Sequence, residues 1–90
     1  MRKFEVDTSH GLLACVETEG RGTTVLFIHG NSSCKEIFAR QLESDLGSRY
    51  RMIAFDLPGH GASSNAPEPA RTYSIHGFAN AAIELLATLL

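Results

Sequence analysis

Ninety residues with eight Lys and Arg against ten Asp and Glu carry a formal charge of −2, which leaves no electrostatic footprint for nucleic acid or an anionic membrane. With 43% hydrophobic and 20% charged residues, the composition is that of a globular chain with one modest core and one folding unit, which excludes a disordered tail. The opening MRKFEVDTSHG has no apolar signal region, and the most apolar stretch, Ala81 to Leu90, is interrupted by Glu84 and too short to span a bilayer. The expectation is a soluble, cytoplasmic protein with no membrane partner.

Phe4 and Val6 alternate with Lys3, Glu5 and Asp7, the period of a half-buried strand. Ser9, His10 and Gly11 break it, and Leu12 to Thr18 reads as a second, more apolar strand paired antiparallel with the first. Glu19-Gly20-Arg21-Gly22 then writes a tight turn. Cys15 and Cys34 stand in unlike contexts and make no disulfide framework, so free thiols in a reducing compartment are expected.

The stretch Thr23 to Lys35, TTVLFIHGNSSCK, organises the rest. Val25 to Ile28 is an unbroken run of β-formers, which suits a strand covered on both faces in the middle of a parallel sheet. It stops at His29 and Gly30, and Asn31, Ser32 and Ser33 favour turns and caps. Ser33 with Glu36 has the form of a capping box, predicting a helix from about Cys34. On that helix Phe38, Ala39, Leu42 and Leu46 share one stripe, Arg40, Glu43 and Asp45 face away, and Gly47 is the expected left-handed C-terminal cap. Backbone NH groups at such a strand, glycine and helix junction point at whatever sits above the sheet edge, an arrangement suited to an anion or oxyanion.

Met52 to Phe55 is a second apolar run, and the intervening helix makes it parallel to Val25–Ile28 by a right-handed crossover. Both strands then end at one edge, where Asp56-Leu57-Pro58-Gly59-His60-Gly61-Ala62-Ser63-Ser64 forms a turn, followed by a loop over Asn65 to Arg71. In Ser74 to Leu90 the polar Asn80, Glu84 and Thr88 recur every fourth residue, leaving a helix that expects partners on most sides and that reads as cut in mid-course.

The glycine pattern fits no nucleotide fingerprint, since Gly30-Asn31-Ser32-Ser33-Cys34-Lys35 lacks the further glycines of either a dinucleotide site or a P-loop. His10, His29, His60 and His76 with the two cysteines never fall into metal-ligand spacing, so neither a metal nor a cofactor is expected. His60 reads as a loop residue, His76 as a first-turn helix residue and Asp56 as a turn-stabilising acceptor. Cys34, near the polar loop, reads as a small buried residue rather than an activated nucleophile.

Val25-Leu26-Phe27-Ile28-His29-Gly30-Asn31 together with Arg51-Met52-Ile53-Ala54-Phe55-Asp56-Leu57-Pro58-Gly59-His60-Gly61-Ala62-Ser63 resembles the opening third of an α/β-hydrolase-fold enzyme, over essentially all ninety residues. The resemblance implies an α/β fold with an antiparallel first strand pair followed by parallel strands and crossover helices, with residues 1–90 as the N-terminal part of one such domain. It implies that the loop after the third strand gives one oxyanion NH, which maps onto Asn31, with His29 and Gly30 shaping that loop and Asp56, Gly59, His60 and Gly61 holding the neighbouring turn. No serine fits the nucleophile elbow G-x-S-x-G: Ser63 and Ser64 sit in Gly-Ala-Ser-Ser-Asn, Ser32 and Ser33 in Gly-Asn-Ser-Ser-Cys. The nucleophile, acid and His of a triad are expected beyond Leu90. The implied chemistry is hydrolysis of a carboxylic ester or related small molecule, with the remainder of the hydrolase domain needed to complete the fold. Asn directly after His-Gly also resembles haloalkane dehalogenases, so an Asp nucleophile in a dehalogenase or epoxide hydrolase relative is the alternative, and a non-catalytic truncated chain is the other.

Overall fold

The computed structural model describes residues 1–90. Strands β1 (Arg2–Thr8) and β2 (Gly11–Glu17) form an antiparallel hairpin in the register Phe4 to Cys15 and Val6 to Leu13. Strand β3 (Thr24–Ile28) pairs in parallel with β4 (Arg51–Phe55), Val25 opposite Met52 and Ile28 opposite Phe55. Strand β4 also pairs antiparallel with β2, giving one sheet in the order β1-β2-β4-β3. The strand pair and the parallel pair expected from the sequence are both present.

The apolar runs are continuous because both faces of the inner strands are covered. Val6, Leu13, Cys15, Phe55 and Leu57 pack on one face against Ala81, Ala82 and Leu85 of the long helix α4 (Ile75–Leu89). Val16, Met52 and Ala54 pack on the other against Leu42, with Phe27, Phe38 and Tyr50 at the margin. Alternate residues of β4 thus feed two layers, as the twofold period of a strand requires. The hairpin turn is tied down separately: His10 is fully buried with its Nδ1 2.6 Å from Thr72 Oγ1, and Glu84 of α4 accepts from the Ser9 amide at 2.9 Å.

Strand β3 sends Leu26 to one core cluster and Phe27 to the other, so both its faces are partly covered, while its outer edge is open: it pairs only with β4, and Ile28 is 52% exposed. Three expectations are corrected. The tight turn expected over Glu19–Gly22 does not form: β2 and β3 are not neighbours in the sheet, and the segment runs past the start of β4, its Gly20 and Gly22 amides donating to the carbonyls of Gly47 and Arg49. The helix after Gly30 is broken into a 3₁₀ turn (Lys35–Phe38), α1 (Ala39–Leu42) and α2 (Leu46–Arg49). Neither half of the capping box forms at its start, and Gly47 lies buried inside α2 rather than closing a helix in a left-handed conformation. Its lack of a side chain lets the backbone pass close to the Leu42 carbonyl and the Thr18 methyl. Finally, a one-turn helix α3 (Pro69–Thr72) starts within the expected Asn65–Arg71 loop, with proline at its first position. Helix α4 begins as expected, Ser74 Oγ accepting from the Gly77 amide at 3.0 Å. No helix of the chain is long and apolar enough to cross a membrane.

Candidate active site

Because β3 and β4 are parallel and in register, His29 and Asp56 leave the same edge of the sheet. The loops that follow are laced together. The Leu57 amide donates to His29 Nε2 at 3.0 Å, so that nitrogen carries the lone pair and Nδ1 carries the proton, donated to the Gly30 carbonyl at 2.6 Å. The link returns through His60: the Ser32 amide donates to His60 Nε2 at 3.2 Å, and His60 Nδ1 lies 2.9 Å from the Pro58 carbonyl. The two imidazoles stand 5.1 Å apart, centre to centre, and His60 meets the edge of Phe78 from α4 at 5.9 Å.

Asp56 is the anchor beneath. It is fully buried and accepts from the Lys35 amide at 2.7 Å, Lys35 Nζ at 2.8 Å and the Ala62 amide at 2.9 Å. Burial pushes its carboxyl up, but the hydrogen bonds from Lys35 and from the Ala62 and Lys35 amides outweigh this and hold it below the ordinary carboxylate value. Burial likewise pushes the Lys35 ammonium down, and its bonds to Asp56 and Glu36 hold it above the ordinary lysine value. Asp56 therefore does what the expected helix cap does not: it satisfies the first amide of the 3₁₀ turn from the neighbouring strand. Two glycines make the turn possible. Gly61 has φ +48° and a Cβ there would fall inside the Asp56 carboxyl group, while Gly59 has φ +73° and lies against the Tyr73 ring.

The hydroxyls of this turn are engaged in structure. Ser63 Oγ accepts from the Ala14 amide at 2.9 Å and donates to the Asp56 carbonyl at 2.6 Å, and Ser64 Oγ accepts from the Leu12 amide at 2.9 Å. They bind the turn to β2, and no imidazole approaches them as a base. Cys34 is half-buried and unpaired, as is the buried Cys15.

Above these turns opens an apolar cavity of about 700 Å³ between the β3 edge and α4, lined by Ile28, Asn31, Leu57, Tyr73 and Phe78 among others. Asn31 stands at its rim, exposed, and its backbone NH makes no hydrogen bond within the chain, whereas the next amide, Ser32, is held by His60. Ser32 is the one non-glycine residue with positive φ, at +62°. Strain of this kind persists only where neighbours hold it and is concentrated at functional sites.

The profile described as the alpha/beta hydrolase fold matches residues 23–89. The chain belongs to the α/β-hydrolase fold family. Among curated relatives of this α/β-hydrolase chain, an epoxide hydrolase of Caballeronia sordidicola is 34% identical over 74 residues, 82% of this chain and 22% of the relative. Among solved structures, the N-acyl homoserine lactonase AidH complexed with N-butanoyl homoserine is 49% identical with a TM-score of 0.96, over 99% of this chain and 32% of that one. The epoxide hydrolase VrEH1 of Vigna radiata is 27% identical with a TM-score of 0.83, over 98% of this chain and 28% of that one. The chain thus spans between about a sixth and a third of the proteins it matches.

All seven positions singled out from the α/β-hydrolase resemblance, His29, Gly30, Asn31, Asp56, Gly59, His60 and Gly61, lie in the two turns at this one edge. Lys35 and Tyr73 carry no signal in the sequence, Ser32 only that of a turn residue and Ser63 only its place at the end of the Asp56 to Ser63 turn; their parts in the site come from contacts made by folding.

Proposed function

We infer that residues 1–90 form the oxyanion side of a hydrolase that cleaves a carboxylic ester, with a cyclic ester as the favoured class. The observation that carries this is the unbonded Asn31 amide at the rim of an apolar cavity, held beside a locked Ser32 amide. In ester cleavage a nucleophile adds to the carbonyl carbon, the carbonyl oxygen takes on negative charge, and an amide already aimed at that oxygen stabilises the charge without reorganising. The second donor and the nucleophile–His–acid triad would come from segments of the domain outside these ninety residues. The apolar lining suits an acyl chain, and the 49% identity to a lactonase supports the cyclic ester. Two unpaired cysteines agree with a reducing, cytoplasmic setting.

A second reading draws on the epoxide hydrolase relatives, in which an Asp nucleophile would replace the serine. The two readings differ in the nucleophile, which neither places in these ninety residues; what this chain itself contributes is tested by a graft. Residues 1–90 should replace the matching third of the AidH lactonase, given the agreement in backbone, and the graft assayed against N-butanoyl homoserine lactone. Lactone opening is the expected outcome. A well-folded graft inert toward the lactone would contradict the ester reading.

A further inference from the structure

The oxyanion loop is held from outside by one acceptor. We propose that His60, as a neutral imidazole protonated on Nδ1, is the positioning residue that locks the Ser32 amide and so keeps the Asn31 amide aimed into the cavity. The proposal rests on the reading of Asn31 as the oxyanion donor.

Three observations converge on it. First, the Pro58 carbonyl, 2.9 Å from His60 Nδ1, can only accept, which puts the proton on Nδ1 and leaves the Nε2 lone pair for the Ser32 amide at 3.2 Å. One tautomer satisfies both contacts and the other satisfies neither. Second, the residue so held is the strained one, Ser32 at φ +62°, a conformation that a non-glycine residue keeps only under an external restraint. Third, the ring is itself fixed, packed against His29 and against the edge of Phe78, so that the acceptor is anchored to α4 as well as to the β4 turn. Were the Ser32 amide released, the peptide that precedes it would be free to rotate, and the Asn31 amide would lose its aim.

The contact is selective for the transition state. An amide that meets charge only as it develops on the carbonyl oxygen contributes to kcat and little to ground-state binding, so disturbing its aim should lower kcat and leave KM nearly unchanged. A residue that merely stabilised the fold would instead lower the amount of active enzyme.

The test uses ¹⁵N-histidine and amide exchange on the lactonase graft. His60 should show Nδ1 protonated and Nε2 bare. His60→Phe keeps the ring packing and removes the acceptor; it should speed exchange of the Ser32 amide about tenfold, as loss of one hydrogen bond implies, with the β3 and β4 amides unchanged. In the graft it should lower kcat about tenfold at constant KM. His60→Gln offers an oxygen near the Nε2 position and should recover most of both. An Nε2-protonated His60, or a Ser32 amide indifferent to His60→Phe, would overturn the proposal even where the variants fold poorly, because the tautomer is read on the graft with His60 in place. Failure of the oxyanion reading is a separate result: Asn31→Pro would then leave kcat intact while the imidazole and amide signals still reported the lock.

Discussion

Asp56 concentrates more structural consequence than any other side chain in the chain. Its carboxylate joins the end of β4, the start of the 3₁₀ turn and the Gly61 turn in one buried knot with Lys35. Removing one partner of a buried pair leaves the other charge uncompensated, so Asp56→Ala should destabilise the graft by about 3–5 kcal/mol in urea unfolding. The pH dependence follows from the same contacts. The folded carboxyl lies below the ordinary 3.8, so its contribution is complete above that value and is lost as pH falls through the folded one. Lys35 lies above the ordinary 10.5, so its contribution is complete below that value and lost as pH rises through the folded one. The urea midpoint should therefore stay flat across neutral pH and fall at both extremes, with a shallower acid fall in Asp56→Ala. Cys15 gives an independent check of the core: burial pushes its thiol up to about 12. A thiol reagent at neutral pH should label Cys34 in the native protein and Cys15 only after unfolding.

At the scale of elements, what was legible in the sequence depended on how local the cause was. The β3 and β4 runs announce strands because four consecutive apolar residues suit little else between a turn and a polar loop. Helix α4 is legible because Asn80, Glu84 and Thr88 recur along its own face, and its start is also local, Ser74 capping the Gly77 amide three residues away. Ser74→Ala should accordingly cost about 1 kcal/mol in the same urea assay. The start of the helix after Gly30 is not legible locally because its capping acceptor, Asp56, lies 21 residues downstream and is brought in by the sheet. Glu36, the other half of the expected capping box, instead pairs with Lys35 Nζ at 3.1 Å. The site was half legible for the same reason. Its paired glycine turns are written in the chain, whereas the pairing of His60 with Ser32 and of Lys35 with Asp56 exists only once β3 and β4 lie side by side.

For the whole molecule, the sheet order leaves β3 as an edge beside a helix face that is equally uncovered. Ile28 of β3 is 52% exposed, and Ile75 and Ile83 of α4 are 86% and 62% exposed. An apolar strand edge next to an apolar helix face is a site for association. The chain alone should self-associate in light scattering, and Ile83→Lys should reduce that without changing its circular dichroism. Covering this face with the rest of a hydrolase domain should restore stability and activity together, since one surface carries both the missing packing and the mouth of the cavity.

The most direct test of the oxyanion role is the ratio of kcat values for Asn31→Ala and Asn31→Pro in the lactonase graft. The backbone amide survives the first substitution and is deleted by the second. The account predicts that Asn31→Ala keeps most of the lactone turnover, while Asn31→Pro loses on the order of a hundredfold to a thousandfold in kcat, the effect of removing one oxyanion donor. Equal losses in both variants would show that the Asn31 side chain, rather than its amide, faces the substrate, and would contradict the account.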